Sequence, residues 1–131
     1  MDRLLWVCLG SGLGGGARYL VTLAAQSLLG AGFPYGTLAV NVVGSFLIGM
    51  IMHVSVESTL ISDPTRVFLT AGVMGGLTTY SAFNYETLRL AGDGEWLFAA
   101  ANLVATVVMC LVAGVLGLAS GRALVEALVG S

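Results

Sequence analysis

Residues 72–86 read GVMGGLTTYSAFNYE, and this stretch decides how the rest of the chain is interpreted. It lies within a long apolar segment, yet it is a poor continuous helix. Gly75 and Gly76 each cost about 1 kcal/mol relative to alanine in a helix interior. The threonine and serine hydroxyls that follow compete for the backbone groups that a helix needs. We therefore expect the helix to break near residues 75–79.

A break at membrane depth has two interpretations of about equal weight. Interrupted backbone is tolerated in lipid only where it is buried in protein or lines a wet cavity. The break is either a packing kink, where small residues let another helix approach, or an ion site. Freed carbonyls would suit a cation, whereas N–H and O–H donors would suit an anion. Tyr80 and Phe83, three residues apart, share one helix face beside it.

The composition indicates a membrane protein. Of the 131 residues 57% are hydrophobic and only 9% are charged, whereas soluble domains carry about 25% charged residues. The net charge of −2 and the five dispersed arginines form no basic patch for nucleic acid. The chain predicts one all-α domain, residues 1–131, because four segments are long and apolar enough to span a bilayer. These spans are about residues 4–29, 35–56, 66–90 and 96–120.

The charges between the spans give little topological signal. One side would carry Arg3, Arg66 and Arg122, and the other only Arg89. This bias is thin for the positive-inside rule. It supports two topologies about equally: both termini cytoplasmic, or insertion in both directions, which would permit an antiparallel homodimer.

Arg18 is the one cation deep within a span, and intramembrane charge is costly unless it is paired or functional. Its obvious in-membrane partner is Glu86, at the end of the broken stretch. We hypothesise that Arg18 pairs with Glu86 or attracts anions in a wet vestibule. The alternative is an arginine that snorkels to the membrane interface.

Two polar stripes run along predicted helices at four-residue spacing, which places each stripe on one helix face. The first is Thr37, Asn41 and Ser45, and the second is Asn102, Thr106 and Cys110. Either stripe alone would fit interhelical hydrogen bonding. Together with the hydroxyl-rich break, they favour the lining of a path over simple packing. Catalytic constellations are missing from the membrane residues, so we expect no enzyme.

With these features, the chain resembles the Fluc (CrcB-type) fluoride channels along almost its whole length. The similarity rests on motifs that occur in order in the four spans. They are Gly15-Gly16-Ala17-Arg18-Tyr19, Gly36-Thr37-Leu38-Ala39-Val40-Asn41 with Gly44, Gly75-Gly76-Leu77-Thr78-Thr79-Tyr80-Ser81-Ala82-Phe83 with Glu86, and the looser pair Asn102 and Thr106.

The resemblance implies a four-helix subunit, with its third helix broken mid-membrane, that forms an antiparallel, dual-topology homodimer. The implied function is passive, fluoride-selective export from the cytoplasm across the inner membrane of a prokaryotic cell. The implied partners are therefore fluoride, the lipid bilayer and a second copy of the chain.

The resemblance also implies roles for individual residues. Asn41, Tyr80, Phe83 and Thr106 would line the fluoride pathway, and the backbone carbonyls of Gly75 and Thr78 would hold a structural Na⁺ on the dimer axis.

The other site residues follow from the sequence pattern itself. From the first polar stripe and the hydroxyl-rich break, we expect Thr37 and Ser81 to line the same pathway. Arg18 and Glu86 are the expected vestibule or structural charges.

Departures from the family pattern keep other functions open. Tyr80 stands where the family usually has phenylalanine, Ala82 where it often has threonine, and Asn84 where it often has serine. These differences allow a non-conducting subunit of a hetero-oligomer. A small four-helix coupled exporter is the other alternative, although it would want a carboxylate in the first span, where Arg18 and glycines stand instead.

Overall fold

The computed structural model describes residues 2–130, and every regular element in that range is helical. The all-α class predicted from the sequence is therefore confirmed. The elements in chain order are α1 (Asp2–Leu29), α2 (Tyr35–Glu57), α3 (Asp63–Val67), a π-helical segment (Phe68–Met74), α4 (Gly75–Leu77), α5 (Tyr80–Gly92) and α6 (Trp96–Val129).

Three of these helices, α1, α2 and α6, are long and apolar enough to cross a membrane. The remaining predicted span is divided among α3, the π-helical segment, α4 and α5. Large apolar side chains cover the outside of the bundle; Leu97 and Leu111, for example, are 79% and 67% exposed. Such a surface is stable only in lipid. The chain is a multi-pass membrane protein.

Helix α1 packs against the π-helical segment and α4 through glycines. A Cβ atom on Gly10 would lie 2.9 Å from the Cα of Gly72, and one on Gly14 would overlap the carbonyl oxygen of Val73. Glycine at these positions lets the two backbones touch, which is the main source of helix association in lipid. This contact holds the first part of the third span against α1.

Helix α2 packs along α6, and glycines again allow the two backbones to approach closely. A Cβ atom on Gly121 would lie 2.9 Å from the carbonyl oxygen of Met50, and one on Gly117 would overlap that of Phe46. Helix α5 contacts α6 as well, and its Phe83 and Leu90 are buried. The interrupted third span is therefore held on α1 through its first part and on α6 through α5.

Candidate functional site

The third span loses its helical backbone at two threonines. Thr78 (φ −86°, ψ 154°) and Thr79 (φ −154°, ψ 121°) are extended between the end of α4 and the start of α5. Two helix ends therefore meet at this point. Each end leaves backbone groups without a helical partner: carbonyls from α4 and N–H groups from α5.

The side-chain amide of Asn41, on α2, pairs with the backbone of Thr79. Asn41 Oδ1 accepts from Thr79 N at 2.8 Å, and Asn41 Nδ2 donates to Thr79 O at 3.1 Å. Both residues are buried. An unpaired backbone group in this setting would cost about 1–3 kcal/mol. The two hydrogen bonds from Asn41 therefore stabilise the extended conformation of Thr79.

The other hydrogen bonds at the break stabilise the end of α4 and the start of α5. The last helical bond runs from Thr78 N to Met74 O at 2.9 Å, and the Thr78 hydroxyl donates to the same oxygen at 2.8 Å. Thr79 caps α5, since its Oγ1 accepts from Ala82 N at 3.2 Å. It also lies 3.3 Å from the Ser81 hydroxyl.

A glycine on α2 makes room for this arrangement. A Cβ atom on Gly44 would overlap the Thr78 methyl group, Cγ2. Gly44 follows Asn41 by three residues, so one face of α2 supplies both the amide that pairs with Thr79 and the gap that admits Thr78.

The largest recess beside the break, which we call the main cavity, has a volume of about 440 Å³. It brings together the predicted pathway residues Asn41, Tyr80, Phe83 and Thr106. Its full lining is Asn41, Gly44, Ser45, Ile48, Met74, Thr78, Thr79, Tyr80, Phe83, Thr106, Val107, Cys110 and Leu111. Both predicted polar stripes thus contribute to one cavity.

The two aromatic residues at the main cavity differ in burial. Their ring centroids are 5.6 Å apart with planes at 68°, so the rings meet edge to face. Phe83 is 5% exposed, whereas Tyr80 is 79% exposed. The edges of aromatic rings carry partial positive charge. Because Tyr80 is exposed, much of its ring is not covered by the single chain.

Thr37, Arg18 and Glu86 lie apart from the main cavity. They line a second recess of about 250 Å³, which we call the Arg18 recess. Thr37 Oγ1 donates to Glu86 Oε1 at 2.8 Å, while the buried Glu86 Oε2 has no partner within residues 2–130. Thr79 lines both recesses, so the break separates them.

Arg18 and Glu86 face this same recess without forming an ion pair. In the described chain, the arginines that meet a carboxylate within 4.0 Å are Arg3, Arg66 and Arg122. Direct pairing with Glu86 is therefore not formed in the described chain, and the vestibule and snorkelling hypotheses for Arg18 both stay open.

Sequence reasoning missed Thr87 and did not find the specific contacts of Thr79 and Asn102. Thr79 was predicted only as part of the break, although threonine directly before a helix is a preferred N-cap. Asn102 was predicted only as part of a polar stripe, whereas its Nδ2 donates to Thr87 Oγ1 at 2.8 Å, between α6 and α5. Thr87 stands one turn after Phe83, but nothing in its spacing identified Asn102 as its partner.

The break leaves one backbone carbonyl without its usual helical partner. Because Thr79 N donates to Asn41, it leaves the carbonyl of Gly75, four residues back, without its helical donor. Gly75 is also exposed on the single chain. Within residues 2–130 no three histidine, cysteine or acidic side chains cluster in a way that could hold a metal ion.

The chain matches a protein-family model over residues 5–118, and that model describes the CrcB-like proteins, Camphor Resistance (CrcB). It belongs to the CrcB family. The resemblance inferred from the motifs is thereby confirmed.

Several curated relatives in the family are similar over nearly their full length, and each is named Fluoride-specific ion channel FluC. The relative from Anaeromyxobacter sp. (strain K) is 58% identical over 86% of this chain and 90% of its own. That from Sorangium cellulosum (strain So ce56) is 49% identical over 95% and 98%. That from Geobacter metallireducens is 51% identical over 93% and 98%. Membership of a family of ion channels confirms that this chain is not an enzyme.

We expect Asn41→Leu to destabilise the CrcB-family bundle by about 2–5 kcal/mol, because it leaves two buried backbone groups without partners. Asn41→Gln keeps an amide donor and acceptor on a longer side chain, so its effect should be smaller. Thermal unfolding in detergent measures both. Ser45→Ala is the matched control, one turn along the same face and also at the main cavity. Equal unfolding midpoints for Asn41→Leu and Ser45→Ala would contradict the assigned role.

Proposed function

We propose that this chain is a fluoride-selective passive channel that lets fluoride leave the cytoplasm. The observation that carries the proposal is the main cavity, which the Asn41 amide, the Thr106 hydroxyl and the rings of Tyr80 and Phe83 line beside a helix break. The names of the relatives, which cover nearly the same length, point to the same ion.

The chemistry of the lining suits fluoride among the halides. Fluoride is small, strongly hydrated and a good hydrogen-bond acceptor, so it enters a protein only where donors replace its water. Channels select ions with such fixed donors in a narrow lining. Asn41 and Thr106 at the main cavity, and Ser81 beside the break, supply N–H and O–H groups. The edges of Tyr80 and Phe83 supply positive ring hydrogens.

Passive flow is sufficient for export. A membrane potential, negative inside, gives an anion about 2.3 kcal/mol per 100 mV of outward driving energy. Accumulation of fluoride inside adds to this drive. Arg18, at the mouth of its recess and not engaged by a carboxylate, supplies positive charge that lowers the cost of an anion at membrane depth.

The proposed assembly is an antiparallel homodimer in the inner membrane of a prokaryotic cell. Two observations support it. The thin charge bias permits insertion in both directions. Functional groups at the break, namely Gly75, Tyr80 and Ser81, are exposed on the single chain, so a second copy is needed to enclose them.

A Na⁺ ion is the proposed structural cofactor of this dimer, with the carbonyls of Gly75 and Thr78 from each copy as its ligands. Carbonyl oxygens are hard donors of the kind that bind such a cation. When bound, the ion would supply a fixed positive charge near the pathways. The donation of Thr79 N to Asn41, which frees the Gly75 carbonyl, supports this assignment.

Fluoride efflux from liposomes that hold only this purified chain tests the function. With a potassium ionophore to balance charge, a fluoride electrode should record rapid efflux without any proton gradient. Phe83→Ile should slow it at least about tenfold, the rate equivalent of 1.4 kcal/mol. Leu88→Ile, on the exposed face of the same helix, is the matched control. Flux that requires a proton gradient would favour a coupled exporter, and absence of flux a non-conducting subunit.

Labelling of a single cysteine tests dual topology. In a Cys8→Ser, Cys110→Ser background, Gly92→Cys marks the connection between α5 and α6. If the chain inserts both ways, a membrane-impermeant maleimide should label about half of the molecules in intact cells and all after permeabilisation, since the charge bias is too thin to orient the chain. Complete or absent labelling of intact cells would contradict the antiparallel dimer.

Removal of sodium tests the proposed cofactor. Exhaustive exchange of Na⁺ for N-methylglucamine should abolish fluoride efflux, because the freed carbonyls would repel one another without a cation. Restored Na⁺ should recover the rate, whereas K⁺, as the matched control, should not. Unchanged efflux after verified removal of sodium would contradict this assignment while leaving the channel function intact.

A further inference from the structure

A chain of hydrogen bonds runs behind the main cavity from α6 to α5. Thr106 Oγ1 donates to Asn102 Oδ1 at 3.5 Å, Asn102 Nδ2 donates to Thr87 Oγ1 at 2.8 Å, and Thr87 Oγ1 donates to Phe83 O at 2.8 Å. Asn102 is 1% exposed. Of the three side chains, only Thr106 lines the cavity.

The direction of this chain is fixed by the number of protons. A threonine hydroxyl has a single proton to donate. Thr87 gives its proton to the Phe83 carbonyl, so its oxygen must accept from the Asn102 NH₂ group. That turns Asn102 Oδ1 toward Thr106, which takes the Thr106 proton. The Thr106 oxygen therefore presents lone pairs to the main cavity, and lone pairs repel an anion.

A half-turn of the Asn102 amide reverses the two bonds that Asn102 makes. Nδ2 then donates to Thr106 Oγ1, and Thr87 donates to Oδ1 instead of to Phe83 O, which keeps the N–H donor of its own helix. The Thr106 proton becomes free to point into the cavity. Within this chain of bonds the turned arrangement has one hydrogen bond fewer, so an anion that accepts from Thr106 shifts the balance toward it.

We propose that Asn102 is a positioning residue that sets whether Thr106 faces the pathway as an acceptor or as a donor. The proposal rests on the proposed fluoride pathway. An amide suits this role because it carries a donor and an acceptor on one rotatable group. Successive bonds in such a chain also polarise one another, so Asn102 strengthens the Thr106 donor once it has turned.

An apolar residue at position 102 could no longer orient the Thr106 hydroxyl. The Thr106 hydroxyl would then donate to the backbone carbonyl one turn earlier, as threonines in helices commonly do. Its lone pairs would again face the cavity, and no side chain behind it could compensate. Fluoride would lose one effective donor.

The experiment is a double-mutant cycle read by liposomal fluoride efflux. Asn102→Leu should lower the efflux rate about fivefold, the equivalent of one neutral hydrogen bond. In a Thr106→Val background the same change should cause no further loss, because its route of action is already removed. Asn102→His, which retains a donor and an acceptor, should recover most of the rate.

Thr87→Val is the matched control for a purely structural role. It cuts the same bond between α5 and α6 as Asn102→Leu does, but it leaves Asn102 free to face Thr106. Its efflux rate should stay within about twofold of the parent, less than the worth of one hydrogen bond.

Two results would overturn the proposal: equal losses for Thr87→Val and Asn102→Leu, or additive losses for Asn102→Leu and Thr106→Val. Unfolding midpoints of all variants separate misfolding from altered conduction, and Asn102→Ala takes the place of Asn102→Leu in both comparisons if Asn102→Leu fails to fold. If the parent chain itself fails to conduct fluoride, the proposed function fails instead.

Discussion

The pairing of the Asn41 amide with the Thr79 backbone is the interaction on which the interrupted span depends. Water is absent at membrane depth, so a helix can be opened there only if the protein itself meets the backbone groups that are released. One side chain does so for both the N–H and the C=O of Thr79. Gly44, on the same face of α2, leaves room for the neighbouring threonine methyl group.

This single opening gives the span two kinds of polar group side by side. Freed carbonyls carry partial negative charge at the end of α4, and freed N–H groups carry partial positive charge at the start of α5. Thr79 stands between them, and it lines both the main cavity and the Arg18 recess. One break therefore offers acceptor groups of the kind that suit a cation and donor groups of the kind that suit an anion, in a chain with few charged residues.

Hydropathy and composition were enough to predict the helical class and the presence of several helices long and apolar enough to cross a membrane. They could not predict that Asn41 meets Thr79, because these residues lie 38 positions apart and only the packing of α2 against the third span joins them. Nor could periodicity separate Thr37 from Asn41. They share a helix face, yet Thr37 reaches Glu86 in a different recess. The role of Asn102 was hidden for the same reason, since its stripe predicted a pathway lining and not a bond to Thr87.

Helix α6 is longer than its surroundings require. Its 34 residues measure about 51 Å at 1.5 Å per residue, against about 30 Å of hydrocarbon. Even at a tilt of about 40°, the upper end of the usual range, it would span about 39 Å of depth. Its final turns, with the Arg122–Glu126 ion pair, therefore stand among headgroups and water. These turns are a helical attachment site outside the hydrocarbon. An antibody fragment could bind there, or a fluorescent reporter could be fused there, without contacting the lipid-embedded bundle.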